Sequence, residues 1–183
     1  MKAPGKTLAM RVLDGRQVAY QVIEFPDTIH DARGVAEVAH LPPEMVYKTL
    51  VVQVLDPATQ VPLRSLKPLL ILVAATRSLD PKKVAAALGV KRVGMARQAD
   101  AERLTGLKVG GISALALLNR GFEVYVDEPA RMLDEFVVSA GQRGLNLRLR
   151  VDDLLAITGA GWIDASREIP SSRQGGATSS PVD

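Results

Sequence analysis

The chain has 183 residues, of which 47% are hydrophobic and 23% charged, a balance that suits one domain with a core of its own. With no cysteine and two histidines, disulfides, thiolate metal sites and a cysteine nucleophile are excluded, and a histidine-rich metal site is not expected. The formal charge of +3 and the sequence pI of about 9.3 permit a polyanionic partner without demanding one.

The N-terminal stretch "MKAPGKTLAMRVLDG" meets Lys6, Arg11 and Asp14 too early to form a secretory apolar segment. No run approaches the roughly 20 apolar residues of a membrane helix. A cytoplasmic protein without membrane contact is the expectation. A helix is predicted from Lys6 to Leu13, stopped by Gly15. "QVAYQVIEF", Gln17 to Phe25, alternates as a strand does and ends at Pro26. "DARGVAEVAH" is a short amphipathic helix, and Pro42 and Pro43 separate it from the strand "VYKTLVVQVL", Val46 to Leu55. "DPATQVPLRS" reads as a turn. "PLLILVAA", Pro68 to Ala75, is a continuous apolar run and reads as a central buried strand.

In "SLDPKKVAAALG" the pattern predicts a helix capped by Asp80, opened by Pro81 and stopped by Gly89. "VKRVGMA" is a short strand, and "QADAERLTG" a helix stopped by Gly106. After "LKVGGISALALL" comes the strand "GFEVYVDE". "FVVSAG" and "GLNLRLRV" form a strand pair across a turn at Gly141 to Gly144. "VDDLLAITGA" is the last helix, with Asp152 or Asp153 as its cap. From Ser171 the sequence "SSRQGGATSSPVD" has almost nothing to bury and is expected to be a disordered tail after a single domain over residues 1–170. Short strands mixed with helices, without regular βαβ alternation, predict an α+β fold with a mixed, barrel-like β-sheet surrounded by helices.

Five features bear on chemistry. "PGKT" at Pro4 lacks the glycine five residues upstream of Gly5 that a phosphate loop needs, so it is no such loop. His30 and His40 lie in turn-like and helix-end positions and read as surface residues rather than members of a triad. Lys48 is less ordinary. On a strand it shares a face with Leu50, Val52 and Val54, and two readings stand: a lysine that snorkels to water, or a cation at a cleft mouth aimed at a carbonyl, carboxylate or phosphate. "VGGISALAL" likewise reads as a simple turn, or as adjacent glycines whose N–H groups form an anion nest or oxyanion hole. In "LNLRLRV", Asn146, Arg148 and Arg150 share a face that is either solvated or a basic stripe for the phosphates of a nucleic acid.

Together, "VYKTLVV" and "VGGISALAL" resemble the YbaK/prolyl-tRNA synthetase-associated domain family, aminoacyl-tRNA deacylases found free-standing or fused as editing domains. The resemblance runs from about Val18 to Ala160 and includes, in the family's order, "LDPKKVAAALGVKRVGMA", "LTGLKVGGIS", "VDEPA" and "VSAGQRGLNLRL". It points to the free-standing branch that includes Cys-tRNA(Pro) deacylases. What the resemblance implies is a barrel-like sheet with helices around it and an aminoacyl-adenosine pocket beside a lysine, here Lys48. The family's loop G-G-x-S-P-x-G falls on Gly110 to Ala116: Gly110, Gly111 and Ser113 match, while Ala114 replaces the proline and Ala116 the later glycine.

On that resemblance the expected catalytic set is Lys48, Gly110, Gly111 and Ser113. Phe25, Tyr47, Thr49, Ile112 and Ala114 are expected to bind substrate, with Phe25 walling the pocket. Asn146 takes a place where family members often have an acid. The implied activity is hydrolysis of mischarged aminoacyl-tRNA, with Cys-tRNA(Pro) as first-choice substrate. No metal or cofactor is expected, and the expected partners are aminoacyl-tRNA and prolyl-tRNA synthetase. The competing expectation, kept open by Ala114 and Ala116, is a non-catalytic module that binds the tRNA acceptor end or a synthetase.

Overall fold

The computed structural model describes residues 5–170, so the expected tail from Ser171 lies outside the described residues. The first half runs α1 (Leu8–Gly15), β1 (Gln21–Glu24), α2 (Ala32–Val38), β2 (Tyr47–Val54), β3 (Leu69–Ala74), β4 (Arg77–Leu79) and α3 (Pro81–Leu88). The second half runs β5 (Val93–Met95), α4 (Gln98–Thr105), β6 (Glu123–Asp127), β7 (Glu135–Gln142), β8 (Leu145–Arg150), α5 (Val151–Thr158), β9 (Gly161–Ile163) and β10 (Ser166–Glu168). The fold is α+β, as the sequence pattern predicts.

β3 is the centre of a five-stranded sheet ordered β5-β2-β3-β6-β9. It pairs antiparallel with β2 and parallel with β6. All six of its residues are buried, as its continuous apolar run requires of a strand covered on both faces. Leu70 and Leu72 point into the layer formed with α1, α5 and the inner faces of β7 and β8, where Phe136 and Leu147 lie. Leu69, Ile71 and Val73 point into the opposite layer, against Val84 of α3 and Ile163 of β9. A second sheet is ordered β1-β8-β7, and β10 pairs with β4. One isolated bridge, Val46 to Val137, joins the two larger sheets at a corner. Among the described residues the strands therefore form separate sheets that meet at this corner, not a closed barrel.

α3 is built as its local sequence dictates: Asp80 accepts from the Lys82 and Lys83 N–H groups, Pro81 opens the helix and Gly89 ends it at φ +66°. α1 differs from expectation. Gly15 is its last helical residue, and the left-handed position is Gln17 at φ +58°. The Gln17 and Val18 N–H groups donate to Asp14 O and Leu13 O, both at 3.0 Å, so the strand expected from Gln17 starts only at Gln21. Asp152 and Asp153 do not cap α5; Arg150 holds the cap position, and the two acids sit in the first turn, where they face the positive end of the helix dipole.

Candidate functional site

A cavity of about 360 Å³ opens where β2 begins, between α2 and the Gly110 loop. Lys48 lines it. The lysine shares its strand face with Val52 and Val54, which belong to the layer under α3, so its stem continues an apolar row. Its Nζ donates to Arg77 O at 2.7 Å. Burial holds the ammonium below its ordinary value of 10.5, and the Arg33 guanidinium depresses it further against a smaller opposing pull from Asp31. A half-buried cation beside a second cation is a poor structural element and a good anion receptor.

The carbonyl that holds Lys48 is itself fixed. The Arg77 side chain donates from Nε to Ser166 Oγ at 2.6 Å, and the same Nε lies 3.8 Å from Asp127 Oδ2. Asp127 is fully buried and accepts from the Ala165 N–H at 2.9 Å and from the Ser166 hydroxyl. A buried carboxylate with an arginine and two donors is satisfied, and it locks β4 to β10 behind the lysine.

The opposite wall is the loop after α4. Gly111 N–H donates to Lys108 O at 2.8 Å, which makes Lys108–Gly111 a tight turn with Gly110 at φ +89°, a conformation glycine adopts freely. A side chain at Gly110 would meet the His30 carbonyl oxygen at 3.1 Å and the His30 Cα at 3.2 Å. Two clamps hold the turn. Glu102 Oε1 accepts from the Val109 N–H at 3.1 Å, and Arg143 Nε donates to Val109 O at 2.8 Å. The Val109 N–H bond and Lys108 keep the Glu102 carboxyl below its ordinary value.

Of the expected residues, Tyr47, Lys48, Thr49, Gly110 and Ile112 line the cavity together. The others stand elsewhere. Gly111 faces the β7–β8 hairpin, where a Cβ would meet Arg143 N at 2.9 Å, and its N–H is already used, so it is no oxyanion donor. Ser113 is buried, and its Oγ accepts from the Ala116 N–H at 3.4 Å, inside the short 3-10 turn Leu115–Leu117 that follows. Ala114 and Ala116 are buried in the core beside that turn. Phe25 packs beside Val35, Val46 and Val137 and does not wall the cavity. Arg148 Nε is bound to Glu135 Oε2 at 2.8 Å, whereas Arg150 is exposed. The face they share with Asn146 is not uniform. Asn146 is buried, lines the cavity and faces Ser139 across the β7–β8 register.

Sequence reasoning missed several members. His30 is exposed, as expected of a surface residue, yet it stands at the cavity rim, with Nε2 donating to Asp27 O at 2.9 Å. Arg33 lines the cavity from the first turn of α2, and no local sequence signal places it there. Thr49 Oγ1 is buried and has no hydrogen-bond partner among the described residues. The cavity thus offers two cations, an amide and an unpartnered hydroxyl around an apolar interior. Among the described residues no group of three metal-ligating side chains occurs, and no helix is long and apolar enough to cross a membrane.

Residues 27–157 match the family model described as the aminoacyl-tRNA editing domain. EbsC of Enterococcus faecalis (strain ATCC 700802 / V583), provisionally named a Cys-tRNA(Pro)/Cys-tRNA(Cys) deacylase, is 31% identical over 159 residues, covering 86% of this chain and 91% of EbsC. The crystal structure of the hypothetical protein APE2540 superimposes with a TM-score of 0.74 at 21% identity, over 87% of this chain and 99% of that one. A crystal structure provisionally described as a trans-editing enzyme for prolyl tRNA synthetase gives a TM-score of 0.71 at 22% identity, over 91% and 99% of the two chains. The two structures share the fold.

Proposed function

The chain belongs to the aminoacyl-tRNA editing domain family, and on that premise we propose that it is a trans-editing hydrolase that removes a wrong amino acid from tRNA, with Cys-tRNA(Pro) as its substrate. The observation that carries this reading is the pairing of a half-buried Lys48, held on Arg77 O, with the Gly110–Ile112 wall across a cavity of about 360 Å³. In this mechanism Lys48 and Arg33 offset the negative charge of the terminal nucleotide and of the developing tetrahedral centre. Gly111 N–H is spoken for; among the described residues the Gly110 and Ile112 N–H groups have no protein acceptor, and they serve as the oxyanion donors. Water attacks the ester carbonyl carbon, the bond to the ribose oxygen breaks, and that oxygen takes the proton. With cysteine as the amino acid its own thiol can attack the carbonyl carbon instead, closing a thiolactone as the ribose oxygen leaves with the proton, and water then opens the thiolactone to free cysteine. The ester is activated, so orientation and charge stabilisation suffice.

Selection is by size. A synthetase cannot strongly reject a smaller amino acid, and a second small site removes what the first admits. The substitutions Ala114 and Ala116 bear less on this than their place in the loop suggests, because both are buried in the core away from the cavity lining. That weakens the case for a non-catalytic module that binds the acceptor end or prolyl-tRNA synthetase.

The test is deacylation of Cys-, Ala- and Ser-tRNA(Pro), with Pro-tRNA(Pro) as control, by wild type and Lys48→Ala. The expected result is turnover of Cys-tRNA(Pro), spared Pro-tRNA(Pro), and a loss of about 100-fold or more in the variant, the scale of removing one preorganised charge-stabilising group. A folded wild type that binds tRNA and deacylates none of these would replace the hydrolase with the binding module.

A further inference from the structure

A second cavity, of about 590 Å³, adjoins the first. Arg33, Tyr47 and Ile169 line both and form the wall between them. Pro129, Met132 and Leu133 give the second cavity an apolar side, and Glu44 and Glu168 place carboxylates in its lining. Its size falls within the usual range for a small-molecule or nucleotide site.

Two features of the shared wall point to a ligand. Tyr47 is only 2% exposed, and its hydroxyl makes no hydrogen bond among the described residues. Tyr47 and Arg77 both line the second cavity, and Tyr47 also lines the first. Burial and Asp127 push its ionisation upward, so it stays a neutral donor. Arg33 uses only Nε, which donates to Ala75 O at 3.3 Å; among the described residues its two terminal nitrogens have no protein acceptor. Arg77, by contrast, is already occupied by Ser166, Asp127 and Glu168. The unengaged cation of the wall is therefore at the junction of the cavities.

We propose that the second cavity binds the nucleotide preceding the aminoacylated terminal adenosine, with Arg33 on the phosphate that joins the two. This rests on the editing reading of the first cavity. A dinucleotide end has its one negative charge between two nucleosides, as Arg33 stands between two cavities. In tRNA that preceding nucleotide is a cytidine. Its exocyclic amine is a donor, and Glu44 and Glu168 are acceptors of the kind that read a cytosine amine. Its base face lies against the Met132 side, and Met132 is 88% exposed, an apolar surface open to a stacking ligand. The same carboxylates keep the phosphate from sliding off Arg33 into the second cavity.

The experiment compares two non-hydrolysable ligands by calorimetry: 3′-cysteinylamino-3′-deoxyadenosine, and the same compound extended by a 5′ cytidylyl unit. Wild type, Arg33→Ala and Met132→Asp are each titrated with both, and the ratio of the two Kd values is read within each protein. The extension is expected to tighten wild-type binding about tenfold, in line with one stacked base and one charge-assisted phosphate contact. Both variants should bring the ratio close to one. A wild-type ratio near one, or a ratio that survives in both variants, overturns the second subsite while leaving the first intact. Failure of wild type to bind either ligand overturns the editing reading and the subsite with it.

Discussion

Gly106 and Gly110 stand four residues apart, and replacing each with alanine separates two costs that usually arrive together. Both have positive φ, +70° and +89°. An alanine there pays roughly 1–2 kcal/mol in backbone strain, partly offset by about 0.4–1 kcal/mol from a stiffer unfolded chain. Gly106 has nothing within 4 Å of an added Cβ, so Gly106→Ala should lose about 1 kcal/mol and no more. At Gly110 the added Cβ meets the His30 carbonyl, Cα and Cβ at 3.1, 3.2 and 3.2 Å. Backbone cannot swing aside as a flexible side chain can, so overpacking adds roughly another 1–3 kcal/mol. For a domain of this size the two variants should lose about 2–4 °C and about 4–16 °C of Tm respectively. Thermal denaturation by circular dichroism reads the difference. Deacylation should fall much more in Gly110→Ala, since the turn and the His30 rim move together. Equal losses of Tm in the two variants would refute the close approach of the Gly110 turn to His30.

Lys48 should titrate below 10.5, and Arg33→Gln should raise its pKa, because one of the two depressing causes is gone; NMR of the lysine side chain measures both. Since the folded value lies below the unfolded one, the unfolded state holds the proton longer, and stability should rise with pH through the window just below 10.5. Arg143→Ala removes the donor to Val109 O and should cost about 1–2 kcal/mol. Amide exchange at Gly110 to Ile112 should quicken in that variant, and unchanged exchange would show that the clamp does not hold the turn. Asp127→Ala leaves Arg77 without its buried partner and the Ala165 N–H without an acceptor, so it should destabilise by about 3–5 kcal/mol in urea denaturation. A loss under about 1 kcal/mol would mean that water replaces the carboxylate.

Elements whose causes are local were legible. Asp80, Pro81 and Gly89 define α3, and Gly106 ends α4, through contacts within a few residues. The apolar run of β3 announced its central place. β9 and β10 were not legible: each has three residues, and each exists because a distant strand, β6 or β4, offers a free edge. Gly15 looked like a helix stop, yet the left-handed residue is Gln17, a choice made by the Leu13 and Asp14 carbonyls. At the site, Lys48 and Gly110 stand out as an ammonium on an apolar row and a glycine pair, but only the family resemblance made them site candidates; both line the cavity. The division of labour within "GGIS" was hidden, since only hydrogen bonding reveals that Gly111 and Ser113 hold the loop while Gly110 and Ile112 face the cavity. Asn146 shared a strand face with two arginines, and alternation alone cannot say that one end of that face is covered by the cavity.

The anchor of Lys48 also sets a schedule. Arg77, whose carbonyl receives the ammonium, is held by Ser166, 89 residues further along. At typical rates of synthesis that interval is about 4–18 s. When Gly110 leaves the ribosome, β2, β3 and β4 have all been made, and the cavity's principal residues exist in the chain. β10 does not, so the carbonyl awaiting the lysine is still tethered on one side only. A chain cut anywhere between residues 112 and 166 would carry Lys48, Gly110 and Ile112 in its sequence and still lack the brace behind them. Placement of the lysine is among the last things translation completes.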